Sequence, residues 1–154
     1  MNYWLMKSEP DDVSIDDVMA APERTVVWYG VRNYQARNFM RDAMQPGDGV
    51  LFYHSSCAQP GVAGLAEVAS TPYPDPTQFE QGGRYFDPKA TPEQPRWISV
   101  DVKGTKKTAL LPLAEMRTMA ALEDMLLLKK GSRLSITPVT KAQWQAIMAR
   151  LERA

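Results

Sequence analysis

Apolar residues in this chain come in short runs, each broken by proline, glycine or a charged cluster. Tyr3-Trp4-Leu5-Met6 is aromatic and apolar and is stopped by Ser8-Glu9-Pro10, which predicts a short buried strand and a turn. Thr25-Val26-Val27-Trp28 has β-branched bias and predicts an extended segment that delivers Trp28 to the edge of a sheet. After the turn signal Pro46-Gly47-Asp48-Gly49, the run Val50-Leu51-Phe52-Tyr53 predicts a strand whose end presents His54-Ser55-Ser56-Cys57. Val62 to Val68 reads as a further strand, and Trp97 to Val102 alternates apolar and polar like a half-buried antiparallel strand. Ser132 to Ile136 reads as a last strand.

Helical spacing separates these runs. Ser14 stands three residues before Asp17 and predicts a capped helix through about Ala21, ended by Pro22. Asn33 is a good N-cap for a helix from about Tyr34 to Met44, in which Ala36, Phe39, Met40 and Ala43 form a core stripe and Tyr34, Arg37 and Arg41 face the other way. Leu113 to Met116 and Ala120 to Leu128 predict two short helices. Thr140 with Gln143 makes a capping box for a final helix that buries Trp144, Ile147, Met148 and Leu151. From Thr71 to Pro95 the chain changes character, with prolines at positions 72, 74, 76, 88, 92 and 95 and aromatics between them. Such an excursion is a functional loop or an ordered cover. These elements lack the regular alternation of a doubly wound sheet. They predict one α+β domain spanning 1–154, with a curved, largely antiparallel sheet and short helices around it.

Charge narrows the function classes. Lys and Arg number 18 and Asp and Glu number 18, so bulk attraction to a polyanion is excluded and only a local basic face remains open. Between Arg24 and Arg41 there are four arginines and no acid, which makes that stretch a candidate clamp for a phosphate backbone. One cysteine and one histidine are too few for a structural zinc site or an internal disulfide, and fit a reducing compartment. No signal-peptide or membrane-spanning segment is expected, which points to a cytoplasmic protein, or a nuclear one where the source has a nucleus. No cofactor motif occurs: there is no GxGxxG, P-loop, HExxH or paired CxxC.

The residues leave three functional readings open. Trp28, at a strand end and followed by Gly30, can be core or the stacking wall of a pocket for a flat, polar ligand. His54 and Cys57 permit a thiol–imidazole hydrolase, though three residues apart at a strand end they need not face each other and have no visible third member. The 71–95 segment can instead dock a protein partner.

At this point several motifs act together. Tyr3 to Pro10, Trp28 to Arg41, Phe52 to Ser55, Tyr73 to Pro76, Pro95 to Trp97 and Gly131 to Ser135 span nearly the whole chain, and in that order they resemble the EVE domain family. That family lies within the PUA-like superfamily, which also holds the YTH readers of methylated adenine in RNA. The resemblance implies a PUA-like, β-barrel-like sheet flanked by short helices. It also implies a non-enzymatic reader that accepts one modified DNA or RNA base, without cofactor, metal or membrane. By resemblance the ligand-binding residues are Lys7, Ser8, Trp28 as aromatic wall, Val31, Arg32, Asn33, Tyr53, His54, Ser55, Tyr73 and, at the rim, Arg133. Arg32, Arg37 and Arg41 are the backbone-contact candidates. Tyr29 departs from the family, which more often has a small or acidic residue after the tryptophan.

Overall fold

In chain order the elements of the computed structural model, which describes residues 1–130 and 133–153, begin with β1 (Tyr3–Ser8) and α1 (Ile15–Ala20). β2 (Thr25–Val27) and α2 (Tyr34–Asn38) follow, α2 passing into a single π turn over Phe39–Ala43. Next come β3 (Gly49–His54), β4 (Gly61–Val68), and the two-residue strands β5 (Tyr73–Pro74) and β6 (Ile98–Ser99). The described chain finishes with β7 (Asp101–Pro112), α3 (Leu113–Met116), β8 (Ile136–Val139) and α4 (Lys141–Glu152). Six strands form one sheet in the order β2-β7-β4-β3-β1-β8, with β1 and β3 parallel and every other pair antiparallel, while β5 and β6 pair separately. This is an α+β fold, a mixed six-stranded sheet with short helices.

Alternation along the central strands decides the layering. Trp4, Met6, Val50 and Phe52 point into one apolar cluster with α1, α2 and Trp28, whereas Leu5, Leu51 and Tyr53 point into a second one with α3 and α4. Ala36 and Met40 are buried in the first cluster, with Phe39 and Ala43 partly buried against it, as the core stripe requires. Asn33 caps α2 by accepting from the Ala36 amide at 3.0 Å, and both reciprocal capping boxes, Ser14 with Asp17 and Thr140 with Gln143, are formed. α1 lies close on the sheet because Gly64 has no side chain: a Cβ there would sit 2.6 Å from Ile15 Cδ1. Register irregularities between β4 and β7, and one between β3 and β4, bend and twist the sheet.

Three elements differ from their sequence expectation. The strand expected from Trp97 to Val102 is interrupted at Val100, and β7 then continues to Pro112, so Lys103, Lys106 and Lys107 lie within a strand instead of following one. The last strand is displaced to Ile136–Val139 because antiparallel pairing with β1 sets Met6 opposite Ile136 and Tyr3 opposite Val139. It tolerates Pro138 because β8 is an edge strand, and Ser132 lies outside the described residues. Ala120 to Leu128 forms two separate 3-10 turns, Ala120–Leu122 and Leu126–Leu128.

The proline-rich excursion is ordered by two buried side chains. Asp75 accepts from the Gly30 amide at 2.8 Å, Arg32 Nη1 at 3.1 Å, and the amide and hydroxyl of Thr77 at 2.7 and 2.6 Å. Gln78 donates to the carbonyls of Asp75 and Trp97 and accepts from the amides of Arg96 and Trp97. The excursion is thus fastened at its start to the Trp28–Asn33 segment, at Tyr85 to Arg32, and at its end both to itself through Gln78 and to α2 through Arg37.

Two predictions follow from these contacts. Asp75→Ala removes the only carboxylate in an ion pair with Arg32 among the described residues and leaves the Gly30 amide unpaired. It is expected to lower stability by about 3 kcal/mol or more, measured by denaturant unfolding, whereas the same replacement at the exposed Asp42 leaves the unfolding midpoint nearly unchanged. The second concerns the single histidine. His54 Nε2 accepts from the Ile15 amide, the first N–H of α1, at 3.1 Å, and burial lowers its pKa below the usual 6.5. The folded state therefore holds this proton less tightly than the unfolded state. The contribution is intact above about pH 6.5 and is lost as pH falls from there through the folded pKa. Thermal melting of the native protein should decline across that window, and His54→Gln should flatten the decline.

Candidate functional site

Parallel pairing of β1 with β3 sets Ser8 beside His54 and brings the C-terminal ends of both strands to one end of the sheet. The Ser55 amide extends the ladder by donating to the Ser8 carbonyl at 3.0 Å. Above these ends lies a cavity of about 340 Å³. Its walls include Lys7 to Glu9, Asp12, Val13, Val26 to Val31, Ser55, Ser56, Arg84, Tyr85, Arg133 and Ser135. β2 and β8 are the two outer strands of the sheet, yet Val26 and Val27 of β2 share this cavity with Arg133 and Ser135, which lead into β8. The sheet therefore curls until its edges approach, and the cavity occupies the seam.

Trp28 forms the aromatic wall. Its amide donates to the Val100 carbonyl at 2.9 Å, its ring packs edge-on to Phe52 at 5.5 Å, and it is only 7% exposed. Gly30 has φ +82, a conformation that side chains disfavour, and a Cβ there would lie 2.8 Å from the Tyr85 ring. The bare backbone at Gly30 thus seats Tyr85 at the mouth. Tyr29, edge-on to Tyr85, donates its hydroxyl to Asp12 Oδ1 at 3.0 Å, and burial followed by this hydrogen bond pushes its pKa to about 12. Tyr29 is therefore a neutral donor that ties the turn after β1 to the segment after β2.

The floor is polar. Ser8 donates its hydroxyl to the Val13 carbonyl at 2.6 Å, which leaves its oxygen lone pairs as acceptors. The hydroxyls of Ser55, Ser56 and Ser135 have no partner among the described residues. Ser56 has φ 54, strained for a serine, and turns the chain at the cavity wall. Burial pulls the Lys7 amine below the usual lysine range, and the Lys7 amide donates to the Ser135 carbonyl at 2.8 Å across to the β8 side.

Of the residues anticipated from sequence, the fold brings Lys7, Ser8, Trp28, Val31, Ser55 and Arg133 together around this cavity. The others stand outside it for identifiable reasons. Asn33 is occupied as the cap of α2. Tyr53 points into the second apolar cluster. His54 is anchored to the start of α1, so its Nε2 lone pair is already taken. Tyr73 donates to Asp101 at 2.5 Å. Arg32 is spent on Asp75, Thr77 and the Tyr85 carbonyl. Arg37 bonds the Arg96 carbonyl and Asn38 and lies over Tyr34, and Arg41 pairs with Asp42 at 2.8 Å, so the arginine-rich edge is largely neutralised or tied down. Sequence reasoning missed Asp12, Ser56, Arg84, Tyr85 and Ser135. Arg84 and Tyr85 carry no local signal, because contacts with distant residues, Asp75 with Gly30 and Arg32 with the Tyr85 carbonyl, bring their segment to the mouth.

Comparison with known proteins agrees with this architecture. The family model for the EVE domain matches residues 2–150. Human thymocyte nuclear protein 1 is 41% identical over 96% of this chain and 73% of its own length. The crystal structure of human THYN1 protein in complex with 5-methylcytosine containing DNA superimposes with a TM-score of 0.92 at 40% identity, covering 100% of this chain and 99% of that one. The YTH domain of Zygosaccharomyces rouxii MRB1 protein, solved in complex with N6-methyladenosine RNA, has a TM-score of 0.60 at 13% identity over 98% of this chain and 86% of that one, a likeness of fold alone. With a match across nearly its full length and a relative of this identity, the chain belongs to the EVE domain family.

Proposed function

We propose that the protein is a non-enzymatic reader that takes a single modified nucleobase of DNA into the cavity beside Trp28. The observation that carries this reading is the cavity itself: about 340 Å³, with an aromatic wall, a hydroxyl-rich floor and cationic residues at the rim. It falls within the range of roughly 300–1,000 Å³ typical of small-ligand sites. The human relative solved with 5-methylcytosine containing DNA supports the choice of ligand class. Use of His54 as a catalytic base finds no support in its geometry, since its Nε2 accepts from a backbone amide.

Energetics constrain how such a reader works. Stacking a base on an aromatic ring contributes roughly 1–3 kcal/mol, while drawing the base out of its stack costs a few kcal/mol. Stacking alone therefore binds weakly, and contacts to the phosphates must add the remainder. Burying one extra methyl group is worth only about 0.8 kcal/mol, a few-fold preference. Larger selectivity requires polar groups that the wrong base leaves unpaired, and the hydroxyls of Ser55, Ser56 and Ser135 with the Lys7 amine are placed for that role.

Trp28→Ala would open a hole in the first apolar cluster, so Trp28→Leu is the better probe. In this variant, affinity for a short DNA duplex carrying one 5-methylcytosine, followed by fluorescence anisotropy, should fall about 5- to 150-fold, the equivalent of the lost stacking. A folded Trp28→Leu protein that kept its full preference for the methylated duplex would refute the reading.

A further inference from the structure

Arginines near the cavity divide sharply by commitment. Arg32, Arg37 and Arg41 are each held by carboxylate, amide or carbonyl oxygens of the protein itself. Arg84 and Arg133 have no ion pair and no hydrogen bond among the described residues, and both are exposed and line the cavity. Arg84 is positioned by packing, its guanidinium lying 5.1 Å from the centre of the Tyr85 ring, which is itself seated on Gly30. Such a contact orients the guanidinium and leaves its N–H groups unspent. Arg133 belongs to the other side of the seam, where the segment leading into β8 is bonded to β1 through Ser135 and Lys7. The mouth thus has an unspent guanidinium from each side, and Lys7 lines the same cavity.

We propose that Arg84 and Arg133 form a two-sided clamp for the phosphodiesters flanking the nucleotide whose base enters the cavity, and that the Arg32–Arg41 edge takes no part in holding the backbone. The proposal rests on the base-reading function above and deepens it. Guanidinium forks match phosphate oxygens, and two contacts on opposite sides of an extruded base fix the strand across the opening. The carboxylates at the mouth are compatible with this. Asp12 is engaged by the Tyr29 hydroxyl, and Glu9 and Asp12 together are outnumbered by Lys7, Arg84 and Arg133. In this arrangement the proline-rich excursion supplies one jaw of the clamp.

The test is the salt dependence of binding to short DNA duplexes, one carrying a single 5-methylcytosine and one unmodified, with thermal melting to confirm folding. Each phosphate contact contributes about −0.9 to the slope of log affinity against log salt. Arg84→Gln and Arg133→Gln should each make the slope shallower by about that amount and weaken binding to both duplexes by the same several-fold factor, leaving the methylated-to-unmodified ratio unchanged. Arg84→Lys should restore the slope, and Arg37→Gln and Arg41→Gln should not alter it. An unchanged slope in both clamp variants, or an equal loss in the Arg37 and Arg41 variants, overturns the clamp. A native protein that binds both duplexes equally, with slopes that fall as described, overturns the base-reading function and leaves the clamp standing. A native protein that binds neither duplex overturns both.

Discussion

The carboxylate of Asp75 is withdrawn from solvent, and the cavity depends on the donors that surround it. An unpaired buried carboxylate is penalised by several kcal/mol, so this position is stable only while the Gly30 amide, Arg32 and Thr77 all point at it. Satisfying it joins two segments some 45 residues apart, the strand end that carries Trp28 and the proline-rich excursion. Tyr85 is then laid against Gly30, and Arg84 against Tyr85. The same contact withdraws Arg32 from any role with a ligand. One electrostatic requirement in the interior thereby decides which arginines remain for use outside.

The sheet supplies the other half of the geometry. The parallel pair β1 with β3 puts two C-terminal strand ends side by side, which antiparallel neighbours would not do. Register irregularities along β4 and β7 bend the layer until its outer strands meet across those ends. A cavity at such a seam has backbone amides and carbonyls at strand termini, and here a row of serines adds rotatable hydroxyls. Trp28 is rigid by contrast, held by a backbone bond to Val100 and by Phe52 behind it. The aromatic wall is fixed, and the hydroxyls of the floor can adjust, a combination suited to the flat face and polar edge of the proposed ligand.

Local structure was legible because its causes are local. Ser14 with Asp17, Asn33, and Thr140 with Gln143 act over three residues, and all serve as helix caps. The alternation of Trp4, Leu5 and Met6 shows in the strand itself. What escaped sequence reading depends on distant partners. The stretch from Arg24 to Arg41 contains no acid and so reads as a positive edge, but Asp75 lies 43 residues beyond Arg32, and Asp42 stands just past the end of the stretch. The place of the last strand was set by its register with β1, which no property of residues 132–136 reveals. Arg84 and Tyr85 look like any two residues of an irregular loop until Gly30 and Asp75 are seen beneath them. The motif resemblance found the wall and the floor of the cavity, since Trp28, Ser8 and Ser55 are set by short strands. It could not sort the polar residues beside them, because His54 accepts from the amide of Ile15, 39 residues away, which only the fold brings near.

A net charge of zero is consistent with binding a polyanion only if the cations that matter are concentrated and unspent. Counting arginines along the sequence points to the stretch from Arg24 to Arg41, which holds four of them. Counting unspent guanidiniums at the cavity points to the mouth instead, where two suffice to flank one opening. Few phosphate contacts mean a modest, shallow salt dependence and a modest backbone contribution for methylated and unmodified nucleic acid alike. The backbone term adds equally to methylated and unmodified sites, so it sets the overall affinity and its salt dependence and leaves the ratio between them to the pocket. Holding Arg32 in the interior, Arg37 on a carbonyl and Arg41 on Asp42 therefore does more than stabilise the fold, because under the proposed function it confines phosphate contacts to the two arginines that flank the opening, where they fix the strand across the pocket.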